Sequence, residues 1–496
     1  MKPSKGNSII NFKQIARVLA VLQLLIGGMM LTALPFSLYF KSGDEMSFIW
    51  SVCVCLIAGA VFWYFSNTQD KSLSKREGYL IVALGWLTMV SFGALPYLFC
   101  GKIHGLTDAF FESMSGMTTT GASILTDIES MPQGILFWRS MTQWIGGMGI
   151  IVLTVAIFPL LGIGGIELFS AEAPGPTSDK IHPRIQETAK RLWLIYVALT
   201  AILFVLLKIE GMSFFDAINH ALTTMATGGF STKNASIAAY DSAAIQYTIA
   251  MFMFFAGMNY SVTYLALKGR FSKVWNNDEF KFYLFVVVLL AIIVSLSVFW
   301  VFNEGGKVAT FERSFRDSLF QILSVITTTG FVSADYTAWK PWLTMLFFIL
   351  LFIGASAGST SGGIKIIRHL VFLKNSTLEF KRLIHPRAIL PLKLNGRVVA
   401  PRIMTHIIIF LLLYMFLFVA GSILMSFMGY DFLTSIGAVA TSLGNVGPGI
   451  GKVGPVDNFA WLGDGAKWLL SFLMLLGRLE LFTILVLLTP FFWKAN

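Results

Sequence analysis

The sequence predicts an all-α polytopic membrane protein: an N-terminal two-helix hairpin followed by four helix–pore-loop–helix repeats around a pseudo-fourfold pore. Three observations predict it. The composition is too apolar for a water-soluble chain, apolar runs recur at the length of a bilayer, and one short motif returns four times between them. Of 496 residues, 37 are Lys or Arg and 26 are Asp or Glu, while 56% are hydrophobic and mean hydropathy is +0.73. Soluble domains carry about a quarter charged residues, so a soluble enzyme, a disordered chain and a nucleic-acid reader are all excluded as readings. The formal charge of +11 then belongs to loops facing the cytoplasm rather than to a nucleic-acid surface.

A bilayer-spanning helix needs about 20 mostly apolar residues. Runs of that kind fall near residues 18–40, 47–66, 78–100, 134–162, 192–209, 245–267, 282–303, 342–366, 403–428 and 467–493. The first follows four basic residues without a small-residue cleavage site, and reads as a retained span rather than a signal peptide. Ten spans put both termini on one side. The connections on that side hold 25 of the 37 basic residues, so both termini are expected in the cytoplasm, with the chain in a bacterial inner membrane. Cys53, Cys55 and Cys100 lie within or beside apolar runs and offer no disulfide framework or metal-ligand spacing.

Four connections on the opposite side contain a stretch too short to cross: 106–119, 215–227, 315–328 and 430–442. About 12 helical residues reach roughly 18 Å, enough to dip to mid-membrane but not to exit. These stretches share a pattern: DAFFESMSGMTTTGAS from Asp108, DAINHALTTMATGGFS from Asp216, DSLFQILSVITTTGFV from Asp317 and DFLTSIGAVATSLGNV from Asp431. An Asp opens each helix as an expected N-cap, and a Gly stands 13 residues later at Gly121, Gly229, Gly330 and Gly444. The expected boundaries are 1–70 for the hairpin and 71–165, 166–270, 271–375 and 376–496 for the four repeats.

Non-helical backbone at membrane depth survives only where protein or a water-filled cavity satisfies it. Four such turns about one axis turn their carbonyls into a substitute hydration shell for a monovalent cation. Glycine allows the backbone conformations that aim successive carbonyls the same way, and four helix C-termini add partial negative charge.

On these motifs the chain resembles the Trk/Ktr/HKT superfamily of potassium transporters, most closely its bacterial TrkH type, over essentially its whole length. The resemblance implies potassium ligands at the carbonyls around Thr119, Thr120 and Gly121; Thr227, Gly228 and Gly229; Thr328, Thr329 and Gly330; and Ser442, Leu443 and Gly444. Gly rather than Ser at all four positions implies selectivity for potassium over sodium. Potassium is then the substrate, with no cofactor.

Two further features belong beneath these turns. Gly354, Ala355, Ser356, Ala357, Gly358, Ser359, Thr360, Ser361, Gly362 and Gly363 are ten consecutive small residues that begin inside a span; packing of small residues alone does not require such a run. An unwound loop is expected there, and the matching segment in the family obstructs permeation as a gate. Arg478 lies inside the last apolar run near Glu480. A mid-membrane Arg costs about 2.5–3.5 kcal/mol on insertion scales, so it faces a cavity or a partner. One reading pairs it with carbonyls of the 354–363 loop; the other leaves its charge beneath the turns as a barrier to cations. Lys365 and Arg368 are expected to reach the cytoplasmic interface.

Other signals are weaker. GPGIGK at 447–452 lacks the first Gly and the Ser or Thr of a phosphate loop, and the histidines show no ligand spacing. The expected function is uptake of potassium through a selective, gated, channel-like pore driven by the membrane potential, without enzymatic activity. A proton- or sodium-coupled symporter is the alternative, with Glu480, Glu112 and His220 as candidate coupling groups. The resemblance implies a homodimer and a cytoplasmic nucleotide-binding regulatory subunit of the TrkA type. The nine basic residues of 365–402 suit an acidic partner or lipid headgroups.

Overall fold

The computed structural model describes residues 10–66, 74–103, 105–149, 185–304 and 310–494. The far part of the expected 134–162 span, His104 and His182 lie outside the described residues.

The predicted all-α plan holds. The N-terminal hairpin is Phe12–Met30, continued by Leu34–Phe40, and Glu45–Phe65. Asp44 fastens it to the first repeat: its carboxylate accepts from the hydroxyls of Ser37 and Ser42 and, at 2.9 Å, from the backbone N–H of Ile135. Gly134 is required there, because a Cβ would collide with the Asp44 carboxylate.

Each repeat then supplies a first span, a short pore helix and a second span. Among the described residues six helices are long and apolar enough to cross a membrane, and two bent helix pairs qualify jointly. The pore helices are Leu106–Met117, Phe214–Met225, Phe311–Ile326 and Phe432–Gly444, close to the four expected stretches. Their caps differ from expectation. Asp431 is an N-cap, accepting from Thr434 N at 3.2 Å. Ser213 and Thr310 cap the second and third helices instead. Asp317 lies well inside its helix beside Arg313, and Asp108 accepts from Lys467 Nζ at 2.6 Å.

Among the described residues the second span is broken in repeats 2, 3 and 4, where the sequence indicated a break only in the third; in repeat 1 it stays helical as far as Gly149. Gln133–Trp144 passes into a π-helical turn, Ile145–Gly149. Ala243–Gly257 turns through 111° into Tyr260–Leu267. Pro341–Leu350 ends before the small-residue run, and helix resumes at Ile366–Ile384. Asp464–Arg478 turns through 108° into Phe482–Leu488, with Glu480 and Leu481 at φ +54° and +56°. Carbonyls at these places are reused: Gly257 O accepts from Ser356 N at 3.0 Å and Gly147 O from Arg478 Nη2 at 2.8 Å.

Candidate functional site

The backbone at the end of each pore helix follows one course. Thr119, Thr227, Thr328 and Asn445 are left-handed, at φ +54°, +53°, +56° and +52°. Two residues later Gly121, Gly229, Gly330 and Gly447 are left-handed too, at φ +82°, +80°, +79° and +98°. Such conformations are costly for most side chains and open to Gly, so the shared geometry marks four equivalent turns.

The turns meet one another in cyclic order. A Cβ on Gly121 would overlap the Gly228 carbonyl oxygen, one on Gly229 that of Thr329, one on Gly330 that of Val446, and one on Gly447 would lie 2.6 Å from that of Thr120. Each left-handed Gly therefore abuts the carbonyl preceding the corresponding Gly of the next repeat, and the fourth closes on the first. Every residue at the first position of the turn is fully buried.

In the fourth copy the matching backbone course lies three residues beyond the expected one. Ser442, Leu443 and Gly444 remain in the last turn of the pore helix, and Asn445, Val446 and Gly447 occupy the ring. Asp431 precedes its helix as the N-cap, whereas Asp108 and Asp216 lie inside theirs, so counting 13 residues from that Asp falls short. The left-handed tolerance of Asn followed two residues on by Gly was the available signal.

Side chains back the ring. Gln143 bridges the second turn, donating from Nε2 to Gly228 O at 2.6 Å and accepting at Oε1 from Phe230 N at 3.0 Å. Thr118 and Thr120 pair their hydroxyls at 2.8 Å, as do Thr327 and Thr329 at 2.7 Å. Asn445 Nδ2 donates to Thr120 Oγ1 at 3.0 Å and to Met474 O at 2.9 Å, joining the fourth turn to the first. Sequence reasoning missed Gln143 and Arg139. Both are polar residues in an apolar run, the kind of position that signals a partner.

The small-residue loop lies directly against the ring. Its two ends pair through Gly354 N to Ile364 O at 2.9 Å and Ile366 N to Ala355 O at 3.0 Å. Gly362 N donates to Thr328 Oγ1 at 2.6 Å, and the hydroxyls of Thr227 and Thr360 are 3.3 Å apart. A Cβ on Gly362 would lie 2.6 Å from Gly444 O and 2.7 Å from Asn445 Cβ. Smallness here is a packing requirement: the loop touches three of the four ring segments. Ser356, Ala357 and Gly358 anchor it to the second and third repeats, through Gly257 O, Glu279 Oε1 and Tyr260 N. Ser359 and Ser361 pair their hydroxyls at 2.8 Å. Gly358 and Gly363 take positive φ at +72° and +65°.

Arg478 ties this loop down. Nη1 donates to Thr360 O at 2.9 Å, and Nη2 donates to the carbonyls of Gly146 and Gly147 in the π-helical turn. Thus one guanidinium on the last repeat joins the loop of the third to the π-helical turn of the first. Glu480 bonds Arg368, which also stacks 3.9 Å over Phe410. Lys365 donates to Ser361 O. Lys365 and Arg368 are buried, at 7% and 6% exposure, so neither extends to an interface as the sequence suggested: each finds its acceptor within the protein.

The TrkH family model, described as a cation transport protein, matches residues 44–494. The chain belongs to the TrkH family. The Trk system potassium uptake protein TrkH of Salmonella typhimurium is 42% identical over 488 residues, covering 98% of this chain and 100% of that one. The Trk system potassium uptake protein TrkG of Escherichia coli K12 is 34% identical, covering 94% and 95%. Among solved structures, the TrkH potassium transporter from Vibrio parahaemolyticus superposes with a TM-score of 0.86 at 38% identity, over 97% of this chain and 100% of that one. The TrkH-family fold is that of a multi-pass helical membrane protein.

Proposed function

We propose that this chain takes up potassium through a selective, gated pore whose filter is the ring of four turns. The observation that carries the reading is the cyclic closure itself: four equivalent left-handed glycines, each pressed against the next repeat's carbonyl. Carbonyls held in this way replace the water around a dehydrated monovalent cation, and the pore-helix C-termini direct partial negative charge toward it. The ligands are the backbone oxygens of Thr119, Thr120 and Gly121; Thr227, Gly228 and Gly229; Thr328, Thr329 and Gly330; and, in place of Ser442–Gly444, those of Asn445, Val446 and Gly447. The repeats follow the boundaries at 71, 166, 271 and 376, with the hairpin as a preceding unit.

Residues 354–363 are the gate. They lie against the ring on the side of the left-handed Thr residues and are held by Arg478 through Thr360 O. Release of that hydrogen bond frees the loop to move. An inside-negative potential supplies about 2.3 kcal/mol per charge per 100 mV, so inward flow needs no chemical step and no cofactor. We set the chain in the bacterial inner membrane with both termini cytoplasmic, the basic 365–402 segment toward a cytoplasmic regulator of the TrkA type and lipid headgroups, and pair it with a second copy as a homodimer. The names of the relatives, uptake proteins of a Trk system, support potassium as the substrate and a multi-component assembly.

The test is a comparison of rubidium and sodium flux in liposomes. Wild-type protein should favour rubidium, with reversal potentials set by the potassium gradient alone. A reversal potential that follows a proton or sodium gradient would instead establish coupled symport. Neither Glu112 nor Glu480 favours that alternative, since Arg139 and Arg368 hold them in ion pairs.

A further inference from the structure

Behind the ring, repeats 1 and 2 are built alike in a way that their sequences conceal. Nine residues before Gly121 stands Glu112, and two residues after it Ser123; nine before Gly229 stands His220, and two after it Ser231. Ser123 Oγ donates to the Glu112 carboxylate at 3.0 Å. His220 Nε2 lies 2.9 Å from Ser231 Oγ. The other ring nitrogen, Nδ1, faces the Asp216 carbonyl at 2.8 Å. A carbonyl only accepts, so in the neutral imidazole Nδ1 carries the proton and Nε2 accepts from the Ser231 hydroxyl. In both repeats the serine oxygen also accepts from the backbone N–H two residues on, Leu125 N at 3.1 Å and Lys233 N at 3.0 Å. A carboxylate and an imidazole are thus equivalent here, since each fixes the segment leaving the ring to the helix entering it.

The first brace is the stronger. Arg139 Nε donates to Glu112 Oε1 at 2.7 Å, with the two side chains 1% and 0% exposed. The same guanidinium reaches Ser231 O at 3.3 Å and stacks 4.0 Å over Phe230, which links the first brace to the second turn. In repeat 3 the brace is displaced by one residue, from Gln321 to Ser333 at 3.3 Å. In repeat 4 the corresponding positions, counted from Gly447, are Ala438 and Gly449. Neither has a side chain able to form it, and Gly449 O is held from the neighbouring repeat by Tyr336 OH at 2.7 Å.

We propose that Glu112 and His220 are positioning residues for ion selection, acting through Ser123 and Ser231 on the ring carbonyls of their repeats. This rests on the ring being the filter. A ring of carbonyls discriminates against a smaller cation only if it resists closing in on it. A serine fastened to the pore helix resists that inward movement, whereas an unfastened segment yields. The unequal braces make the filter stiffest across repeats 1 and 2.

The experiment measures rubidium and sodium flux in liposomes for His220→Ala, Ser231→Ala, the double variant and His220→Gln, with Gly229→Ser altering the ring itself. Each single substitution should reduce the rubidium-over-sodium ratio about fivefold, the scale of one buried hydrogen bond. The double variant should be no worse than the worse single, because the His220–Ser231 bond is lost in all three, and His220→Gln, which keeps an acceptor, should recover most of the ratio. Thermal unfolding in detergent normalises for folded protein. An unchanged ratio with reduced total flux, or a double variant whose effect multiplies those of the singles, overturns the proposal. If Gly229→Ser also leaves the ratio unchanged, it is the filter reading that falls; if Gly229→Ser relaxes the ratio while His220→Ala and Ser231→Ala do not, only the braces fall.

Discussion

The first three turns of the ring and the fourth reach the same backbone course by different sequences. Turns one to three place Thr at the first left-handed position, and Gly follows two residues later. Turn four uses Asn445 and Gly447, after a pore helix that continues through Ser442, Leu443 and Gly444. The first two turns carry side-chain braces from their own helices, whereas the fourth is held by a tyrosine from next door. What recurs is therefore the pair of left-handed residues and the carbonyl between them, not the spacing from an acidic residue. A ring needs four equal contacts; it does not need four equal strings of letters.

The largest effect should come from Gly121→Ser. The position has φ +82° and its Cβ would overlap the Gly228 carbonyl oxygen. A conformational penalty of about 1–3 kcal/mol and a displaced carbonyl should together collapse the preference for rubidium over sodium by about tenfold or more. Unchanged preference would remove the first turn from the filter. Next comes a paired test of the fourth turn. Gly447→Ser should relax selectivity nearly as much, while Gly444→Ser, on a helical residue near Leu351 O, should act on stability and leave the flux ratio near that of wild type. The opposite ranking would restore the ring to residues 442–444.

Arg478→Ala should act on the gate rather than on the ring. Removal of its bond to Thr360 O costs the loop one charged hydrogen bond, roughly 1.5–3 kcal/mol, and basal flux should rise without a change in the rubidium-to-sodium ratio. Deletion within residues 354–363 should raise single-channel open time in the same direction; no increase in either variant counts against a gate. The smallest effect contrasts two of the repeated aspartates. Asp431→Ala removes a helix cap and should cost about 1 kcal/mol of stability. Asp317→Ala loses only an i,i+4 contact with a largely exposed Arg313, about 0.3–0.5 kcal/mol. Equal shifts in thermal unfolding would remove that distinction.

Much of this is legible in the sequence because a bilayer imposes harsh rules. Apolar runs of spanning length, four dipping helices and a loop of ten small residues all follow from the need to satisfy backbone groups in a medium without water. Asp431 is a cap, as its place in the motif suggests, but Asp108, Asp216 and Asp317 are not. Their helices begin earlier or are capped by Ser213 and Thr310, which the repeat pattern does not include. Spacing from the Asp misplaces the fourth turn because Asp431 stands before its helix while Asp108, Asp216 and Asp317 stand inside theirs. The breaks at Met258 and Glu480 carry a mark, Gly257 and Asn259 at the first and Gly477, Arg478 and Glu480 at the second, but apolar sequence on both sides lets each pair of helices pass for one continuous span. The braces are invisible for another reason. Glu, His and Gln occupy one position in the first three repeats, the third serine is displaced by one residue, and only coordinates show that each faces a serine.

The most direct measurement is anomalous scattering from crystals of this protein grown with rubidium. A rubidium peak is expected on the common axis, within coordination distance of the carbonyl oxygens of Thr120, Gly228, Thr329 and Val446. A peak at Ser442–Gly444 with none on that axis, in protein that still transports rubidium, would contradict the ring as the filter.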